Sequence, residues 1–323
     1  MFFEKAVSAR HAVRSAASTA LRKAPWGLML LLSVIIYGSH APLLTLCKDN
    51  GKIPFSASSV VVLIELTKLV FSLGFLLIWD WKQLRLSFSW QHATPFALSA
   101  LLYAANNNLV VHMQLFMDPS TYQVLSNLKI GSTALLYSML LHQRLTPRKW
   151  AALLLLTAAG ALYTYGGLQD VQRSPASDME LHITPVGLLL ISLYCLISGL
   201  SAVYTEAILK SQDLPLNLQN LFLYFFGVLL NVALHLLSAP VTGFLEGFSL
   251  WALLVIVSQA LNGLIMSVVM KHSNNITRLF VISSSVMVNA LLSVLLFSLH
   301  LTGFFFLSVL LIGLAVHLYY GAR

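Results

Sequence analysis

Charged residues are scarce in this sequence. Only 9% of its 323 residues are charged and 58% are hydrophobic, whereas water-soluble domains carry about a quarter charged residues. The mean hydropathy is +0.82. This composition excludes an ordinary soluble domain and predicts a polytopic membrane protein.

Cysteines and acidic residues are also few. The two cysteines, Cys47 and Cys195, lie in or beside apolar segments, so the sequence holds no disulfide framework. The 11 acidic residues are scattered, whereas a metal centre or an acid–base catalyst needs them clustered. We therefore predict a protein with no catalytic residues, no metal site and no cofactor, and not an enzyme.

Long apolar segments are what the sequence has instead. Runs of about 20 residues are long enough to cross the hydrocarbon core of a bilayer as helices, and the alternating pattern of a β-barrel is absent. The predicted fold is therefore all-α. We expect ten membrane-spanning helices, near Pro25–Cys47, Ala57–Trp79, Pro95–Phe116, Pro119–His142, Arg148–Gly167, Ile183–Lys210, Leu216–Ala239, Leu250–His272, Ile276–Leu299 and Leu301–Tyr320.

Positive charges predict the orientation of these spans. With a cytosolic N-terminus, fourteen Lys and Arg residues fall on the cytosolic side, and only Lys48, Lys52 and Arg173 fall on the other. This bias is the positive-inside pattern, and an even number of spans leaves both termini in the cytosol. The sequon that begins at Asn275 then lies on the cytosolic side, and we expect it to stay unmodified.

The net charge of +8 therefore reflects the orientation of the chain in the membrane. The arginines are spread over five loops and form no continuous basic stripe, so we expect no nucleic-acid partner. The first 24 residues resemble a cytosolic tail more closely than a mitochondrial transit peptide, because Arg22 and Lys23 directly precede the first span.

The chain contains an internal repeat. The segment ALLYSMLLHQRLT (Ala134–Thr146) aligns without a gap with ALLSVLLFSLHLT (Ala290–Thr302), so spans four and five resemble spans nine and ten. Units five spans apart insert with opposite orientation. We therefore expect two inverted five-helix halves, residues 25–167 and 183–323, joined by a lumenal loop at 168–182. This architecture is typical of alternating-access carriers.

Four ionisable residues lie within predicted spans: Glu65, Lys68, Lys129 and Glu206. A charge in a bilayer costs about 2.5–3.5 kcal/mol on insertion scales, so all four should point away from lipid. Glu65 and Lys68, three residues apart, would form an ion pair on one helix face. That pair is either architecture alone or part of a binding site.

Lys129 has no acidic residue in its own span. Tyr122, Ser126, Lys129 and Thr133 follow one another at helical spacing and predict one polar stripe. Hydrogen bonds between helices would explain the hydroxyl groups but not an unpaired lysine. We interpret the stripe as a site for an anionic ligand that carries a ring and hydroxyl groups.

Three consecutive asparagines, Asn106 to Asn108, interrupt the third span. Each advances about 100° around a helix, so at least one should face a cavity between helices. An amide carries both donors and an acceptor, which suits the edge of a pyrimidine base or a pair of sugar hydroxyls. Asn220, Tyr224 and Ser267 add polar groups in the second half.

Five motifs together resemble a known family. They read NNNLVV, TYQVLSNLKIGSTALLY, SGLSAVYTE, QNLFLY and NGLIMSVVMKHSNNITRLF, and they are similar to motifs of the nucleotide-sugar transporters, solute carrier family 35, subfamily A. The resemblance covers essentially all ten spans. It implies two inverted five-helix halves, a Golgi or other endomembrane location such as the ER, and exchange for a nucleoside monophosphate.

The resemblance also assigns residues to the substrate. It implies base-side contacts at Lys68, Asn107 and Asn108, a cavity tyrosine at Tyr122 and a phosphate-facing lysine at Lys129. Further contacts are implied at Asn220, Tyr224 and Ser267.

The chain departs from the family pattern in two places. It carries Arg278 and Leu279 where similar sugar carriers have lysine and glycine, and Ser126 where some have tyrosine. Arginine keeps the charge but is a rigid five-donor fork, and losing the glycine removes room for close backbone approach. Ser126 would widen or re-line the pocket. These changes bear on which substrate is used.

The sequence thus predicts a Golgi antiporter. It would carry a pyrimidine nucleotide-linked sugar or alditol, of the UDP-sugar, CMP-sialic acid or CDP-alditol class, into the lumen and return a nucleoside monophosphate. Lys129 and Arg278 would neutralise the phosphate. Association with itself or with related transporters is compatible with this prediction. The alternatives are a non-transporting assembly or trafficking partner that keeps the fold and, further off, a membrane-embedded transferase.

Overall fold

The computed structural model describes residues 25–49, 53–79, 89–113, 116–117, 119–172, 184–237, 243–298 and 301–321. All regular elements within these ranges are helical. They are α1 (Pro25–Leu46), α2 (Ala57–Trp79), α3 (Trp90–Met113), α4 (Pro119–Leu125), a 3₁₀ turn (Ser126–Leu128), α5 (Lys129–Leu140), α6 (Pro147–Gln172), α7 (Pro185–Ser211), α8 (Leu216–Leu237), α9 (Leu250–His272), α10 (Asn275–Phe297) and α11 (Gly303–Tyr320).

Most of the described residues in each of the ten predicted apolar segments are helical, although one segment is interrupted. α2 and α9 have the predicted bounds, whereas α3 begins at Trp90 and so contains Pro95. α6 continues to Gln172, five residues beyond its predicted end at Gly167. The tail at 1–24 and residues 173–182 of the predicted loop lie outside the described residues.

Seven described helices are long and apolar enough to cross a membrane: α1, α2, α7, α8, α9, α10 and α11. The chain is therefore an all-helical polytopic membrane protein. Three of the other helices differ from these seven: the asparagine run makes α3 more polar, and α4 and α5 are each short.

Polar side chains cap four of the helices at their N-termini. Thr184, Ser249, Asn274 and Thr302 each accept a hydrogen bond from the backbone N–H three residues later. The first N–H groups of a helix have no partner within it, and in lipid an unsatisfied group costs several kcal/mol. Each of these four helices therefore begins directly after its capping residue.

Two glycines, Gly38 and Gly199, each lie where two helices approach closely. A Cβ on Gly38 of α1 would lie 2.6 Å from the Ser285 carbonyl oxygen of α10, and one on Gly199 of α7 would lie 3.1 Å from the Thr133 backbone of α5. Elsewhere α2 packs on α8 and α9, α3 on α7 and α8, and α6 on α11.

A polar cluster joins the C-terminal end of α7 to the junction between α9 and α10. The fully buried Glu206 carboxylate accepts hydrogen bonds from Lys210 Nζ at 2.6 Å and from the Asn275 backbone N–H at 2.7 Å. Lys210 Nζ also donates to the Ser273 carbonyl at 2.5 Å. Lys271 Nζ donates to the carbonyls of Leu209 and Gln212. Glu206 is thus directed inward, as a buried charge requires.

Candidate functional site

A cleft opens between α2, α3, α8, α9 and α10, and we call it the Lys68 cleft. Its empty space, counted with its open mouth, is about 710 Å³. It is lined by Glu65, Lys68, Ala100, Tyr103, Asn107, Leu223, Tyr224, Gly227, Asn231, Gly263, Met266, Ser267, Met270 and Arg278.

An ion pair on α2 lies in this cleft. Lys68 Nζ is 2.5 Å from Glu65 Oε1, the pairing that the i, i+3 spacing predicts. Lys68 also lies over the ring of Tyr224, with Nζ 4.6 Å from the ring centre. The lysine charge is therefore shared between a carboxylate and an aromatic face.

Two glycines make room for this pair. A Cβ on Gly227 of α8 would lie 2.8 Å from Glu65 Oε2, and one on Gly263 of α9 would lie 2.8 Å from Lys68 Cδ. Contacts under 3.0 Å force a neighbour to move, so both positions need glycine while the pair keeps this geometry.

Arg278 is the second cation of the cleft, and the protein provides fewer partners for its charge than for that of Lys68. Its Nη1 donates to the Tyr103 hydroxyl at 3.5 Å, and its buried Nε has no hydrogen-bond partner. Within the described part of the chain, Arg278 forms no ion pair with a carboxylate. A guanidinium with free donors is suited to a phosphate or carboxylate group of a ligand.

The asparagine run does not act as one group. Asn107 lines the Lys68 cleft, whereas Asn108 Nδ2 donates to the Ala104 carbonyl of its own helix at 2.9 Å. Asn106 Oδ1 is buried without a hydrogen-bond partner. Of the three, Asn107 is therefore the one placed to meet a ligand in this cleft.

Asn220 and Ser267 link α8 to α9 beside the cleft. Asn220 Nδ2 donates to Ser267 Oγ at 2.9 Å, and Ser267 Oγ donates to the Leu264 carbonyl at 2.7 Å. Both side chains are at least 97% buried. Ser267 lines the cleft and Asn220 supports it from behind, while Asn220 Oδ1 has no hydrogen-bond partner.

A second cavity, which we call the Lys129 cavity, lies between the α4–α5 span, α6, α10 and α11. Its empty space, including the open side, is about 760 Å³. It is lined by Gln123, Ser126, Asn127, Lys129, Ile130, Gly160, Tyr163, Thr164, Leu279, Ile282, Ser283, Val286 and Ile312. Lys129 forms no ion pair with any described carboxylate.

The predicted polar stripe on the fourth span does not line a single cavity. Ser126 and Lys129 line the Lys129 cavity, but the ring of Tyr122 packs on Tyr194 of α7 at a centroid distance of 5.7 Å. Thr133 is buried against Gly199. The prediction assumed a continuous α-helix, whereas the span contains a 3₁₀ turn.

Arg278 and Lys129 do not share a cavity either. Arg278 lines the Lys68 cleft, and the next residue of α10, Leu279, lines the Lys129 cavity. The two cavities are therefore lined by consecutive residues of α10, Arg278 and Leu279, which point about 100° apart around the helix.

Sequence reasoning missed several lining residues, including Tyr103, Gly227, Asn231 and Gly263. Helical spacing could have identified some of them. Tyr103 precedes Asn107 by four residues, and Gly227 and Asn231 follow Tyr224 by three and seven, so each pair shares a face.

Comparison with known proteins assigns the family. Residues 30–320 match the family model described as "Nucleotide-sugar transporter". The chain belongs to the nucleotide-sugar transporter family. Nucleotide-sugar transporters carry substrates across membranes, so the chain belongs to a family of transporters and not of enzymes.

Curated relatives support this nucleotide-sugar transporter assignment over nearly the whole chain. The Xenopus tropicalis protein is 61% identical over 303 residues, covering 94% of both chains. The Homo sapiens protein is 62% identical over 312 residues, covering 94% of this chain and 96% of its own. The Danio rerio protein is 54% identical, covering 91% and 93%. All three are named "Probable UDP-sugar transporter protein SLC35A4".

One solved structure shares the fold of this nucleotide-sugar transporter. A crystal structure of another protein superposes with a TM-score of 0.70, covering 91% of this chain and 95% of that chain, at 14% sequence identity. This likeness concerns the fold alone.

Proposed function

We propose that this chain is an antiporter that moves a pyrimidine nucleotide-linked sugar or alditol from the cytosol to the Golgi lumen. The exchanged product would be a nucleoside monophosphate. The observation that carries the proposal is the pair of cations without carboxylate partners among the described residues, Arg278 and Lys129. They line two cavities on either side of consecutive residues of α10.

The two cavities suit different parts of such a substrate. The Lys68 cleft combines the amide of Asn107 with the ring of Tyr224, groups that can contact a base or a ribose. Asn231 also lines the cleft, but its Nδ2 donates to the Gly227 carbonyl of its own helix. The Lys129 cavity carries hydroxyl and amide groups and one cation, which suits a hydroxylated group joined to phosphate. The phosphate would lie between Arg278 and Lys129.

Alternating access requires two halves that can move relative to each other. We propose that the halves are residues 25–167 and 183–323, in inverted orientation with both termini cytosolic. The packing supports this division. If each of the ten predicted spans corresponds to the one five positions later, the pairs α2 with α8 and α6 with α11 map onto themselves, and α3 with α8 maps onto α2 with α9.

Counterflow into proteoliposomes tests the proposed transport. Purified protein is loaded with unlabelled nucleoside monophosphate and offered UDP-, CMP-, CDP- and GDP-linked compounds outside. We expect uptake of at least one pyrimidine-linked compound, stimulated by internal monophosphate. If protein with an intact thermal transition transports none of them, the proposal fails and the assembly-partner alternative is favoured.

A further inference from the structure

The α4–α5 span contains a break in its middle. α4 ends at Leu125, the 3₁₀ turn covers Ser126–Leu128, and α5 begins at Lys129. The Lys129 backbone N–H donates to the carbonyls of Asn127 and Ser126. A 3₁₀ turn within a helical span often marks a functional hinge, and this one directly precedes the lysine of the Lys129 cavity.

Asn127 holds this break in place with its side-chain amide. Its Nδ2 donates to the carbonyl oxygens of Gln123 at 3.0 Å and Val124 at 3.2 Å, in the last turn of α4. The same group lies 3.2 Å from Thr164 Oγ1 of α6. Asn127 therefore satisfies carbonyls next to the break and fixes the turn to a neighbouring helix.

Gly160 of α6 provides the space for this amide. A Cβ at Gly160 would lie 2.3 Å from Asn127 Oδ1 and 2.9 Å from Asn127 Cγ. Thr164 Oγ1 in turn donates to the Gly160 carbonyl at 2.5 Å. The Asn127 side chain thus occupies a notch that any residue other than glycine would fill.

The geometry points to Asn127 as a positioning residue for Lys129, and this inference rests on the proposed function, in which the Lys129 ammonium contacts the substrate phosphate. A 3₁₀ turn advances about 120° per residue and an α-helix about 100°. Three 3₁₀ residues therefore rotate α5 by about 60° relative to α4. Asn127, bonded to Thr164 and seated at Gly160, keeps this rotation and with it the direction of Lys129.

Four variants form the core of the test: Asn127→Ala, Gly160→Ala, the two together, and Gly131→Ala as a matched control. Gly131 lies on α5 two residues after Lys129, and a Cβ there meets nothing within 4 Å. The measurement is thermal stabilisation of the full chain by UMP and CMP, each compared with its uncharged nucleoside. The phosphate-dependent part of this stabilisation reports the contacts at Arg278 and Lys129 together, and comparison with Lys129→Gln isolates the part that depends on Lys129.

We expect Asn127→Ala and Gly160→Ala each to weaken monophosphate binding about tenfold, with nucleoside binding nearly unchanged. The double variant should bind no more weakly than Asn127→Ala alone, because the clash at Gly160 disappears when the Asn127 amide is absent. Gly131→Ala should bind as the unchanged chain does. Thr164→Val removes the two hydrogen bonds of Oγ1, from Asn127 Nδ2 and to the Gly160 carbonyl, and adds no clash. It should weaken monophosphate binding about threefold, and it decides the question if Asn127→Ala does not fold.

Two results would overturn this inference in distinguishable ways. If the unchanged chain discriminates monophosphate from nucleoside and Asn127→Ala retains that discrimination while melting earlier, Asn127 only packs the span. If the unchanged chain and Lys129→Gln show equal stabilisation by monophosphate and nucleoside, the phosphate contact of the proposed function fails, and the positioning role fails with it.

Discussion

The Lys68 cleft and the Lys129 cavity each have one lysine from the first half of the chain, but only one of these lysines is neutralised. Lys68 is paired with Glu65 at 2.5 Å, whereas Lys129 has no ion-pair partner among the described carboxylates. Lys68 is neutralised by a carboxylate of the protein itself, whereas Lys129 would be available to the anionic substrate that we propose.

Breaking the pair at Lys68 should produce the largest effect. Lys68→Met leaves the Glu65 carboxylate only 18% exposed and uncompensated, which costs about 3 kcal/mol of unfolding free energy. We expect a lower melting temperature and little folded protein by fluorescence size-exclusion chromatography. Glu65→Gln combined with Lys68→Met should restore the melting temperature. If uptake returns along with stability, Lys68 has only a structural role.

The glycines beside the pair offer a smaller perturbation. Gly263→Ala places a methyl group against Lys68 Cδ, in the middle of the side chain, whereas Gly227→Ala meets the terminal Glu65 Oε2, which can move more easily. We expect Gly263→Ala to cost about 1–3 kcal/mol and Gly227→Ala less, measured as shifts in melting temperature.

The matched control for these two substitutions is Gly74→Ala on α2, where a Cβ meets nothing within 4 Å. It should be neutral or mildly stabilising, because alanine favours a helix by up to about 1 kcal/mol over glycine. If all three substitutions behave alike, the ion pair does not depend on these two glycines.

Lys129→Gln should affect binding and not folding. The glutamine is one atom shorter than the lysine and keeps N–H donors, but it removes the charge, so binding of a nucleoside monophosphate should weaken about tenfold or more. The melting temperature of the ligand-free protein should hold or rise, because an unpaired cation in a low-dielectric cavity is unfavourable. A lower melting temperature with an intact ligand shift would mean that Lys129 belongs to the scaffold.

The proposed transport through the two cavities also depends on the orientation of the chain in the membrane. The native sequon should show no glycan, and here the structure adds a second reason, because Asn275 is only 1% exposed and its Nδ2 donates to the Ala202 carbonyl at 2.5 Å. A test of topology therefore needs another position. Pro175→Asn completes a sequon with Ala176 and Ser177 in the predicted lumenal loop. We expect endoglycosidase-sensitive glycosylation there, and its absence in protein that reaches the Golgi would argue against the proposed orientation.

Helix positions were largely predictable from the sequence, and the division of the site was not. Pro185 and the polar residues before α9, α10 and α11 mark helix starts because caps have local signatures. The break at Ser126–Leu128 contains no proline or glycine that would indicate it in the sequence. Helical spacing alone therefore places Tyr122 on the same face as Lys129.

The separation of Arg278 from Lys129 depends on which helix lies against which. Periodicity within one helix predicts a face but not the neighbour of that face. For the same reason, the notches at Gly160, Gly227 and Gly263 could not be recognised from sequence, since each is defined by a side chain from another helix.

The polar cluster around Glu206 has a mechanical consequence. Its bonds join the C-terminal end of α7, the end of α9 and the start of α10 through the buried Glu206 carboxylate and two lysines, Lys210 and Lys271. Hydrogen bonds that involve charged groups are stronger than neutral ones. These three helix ends therefore form a rigid block. In the alternating-access mechanism that we propose, rocking of the second half would carry these ends together. We expect the bending that opens a path to occur towards the opposite ends of α7, α9 and α10.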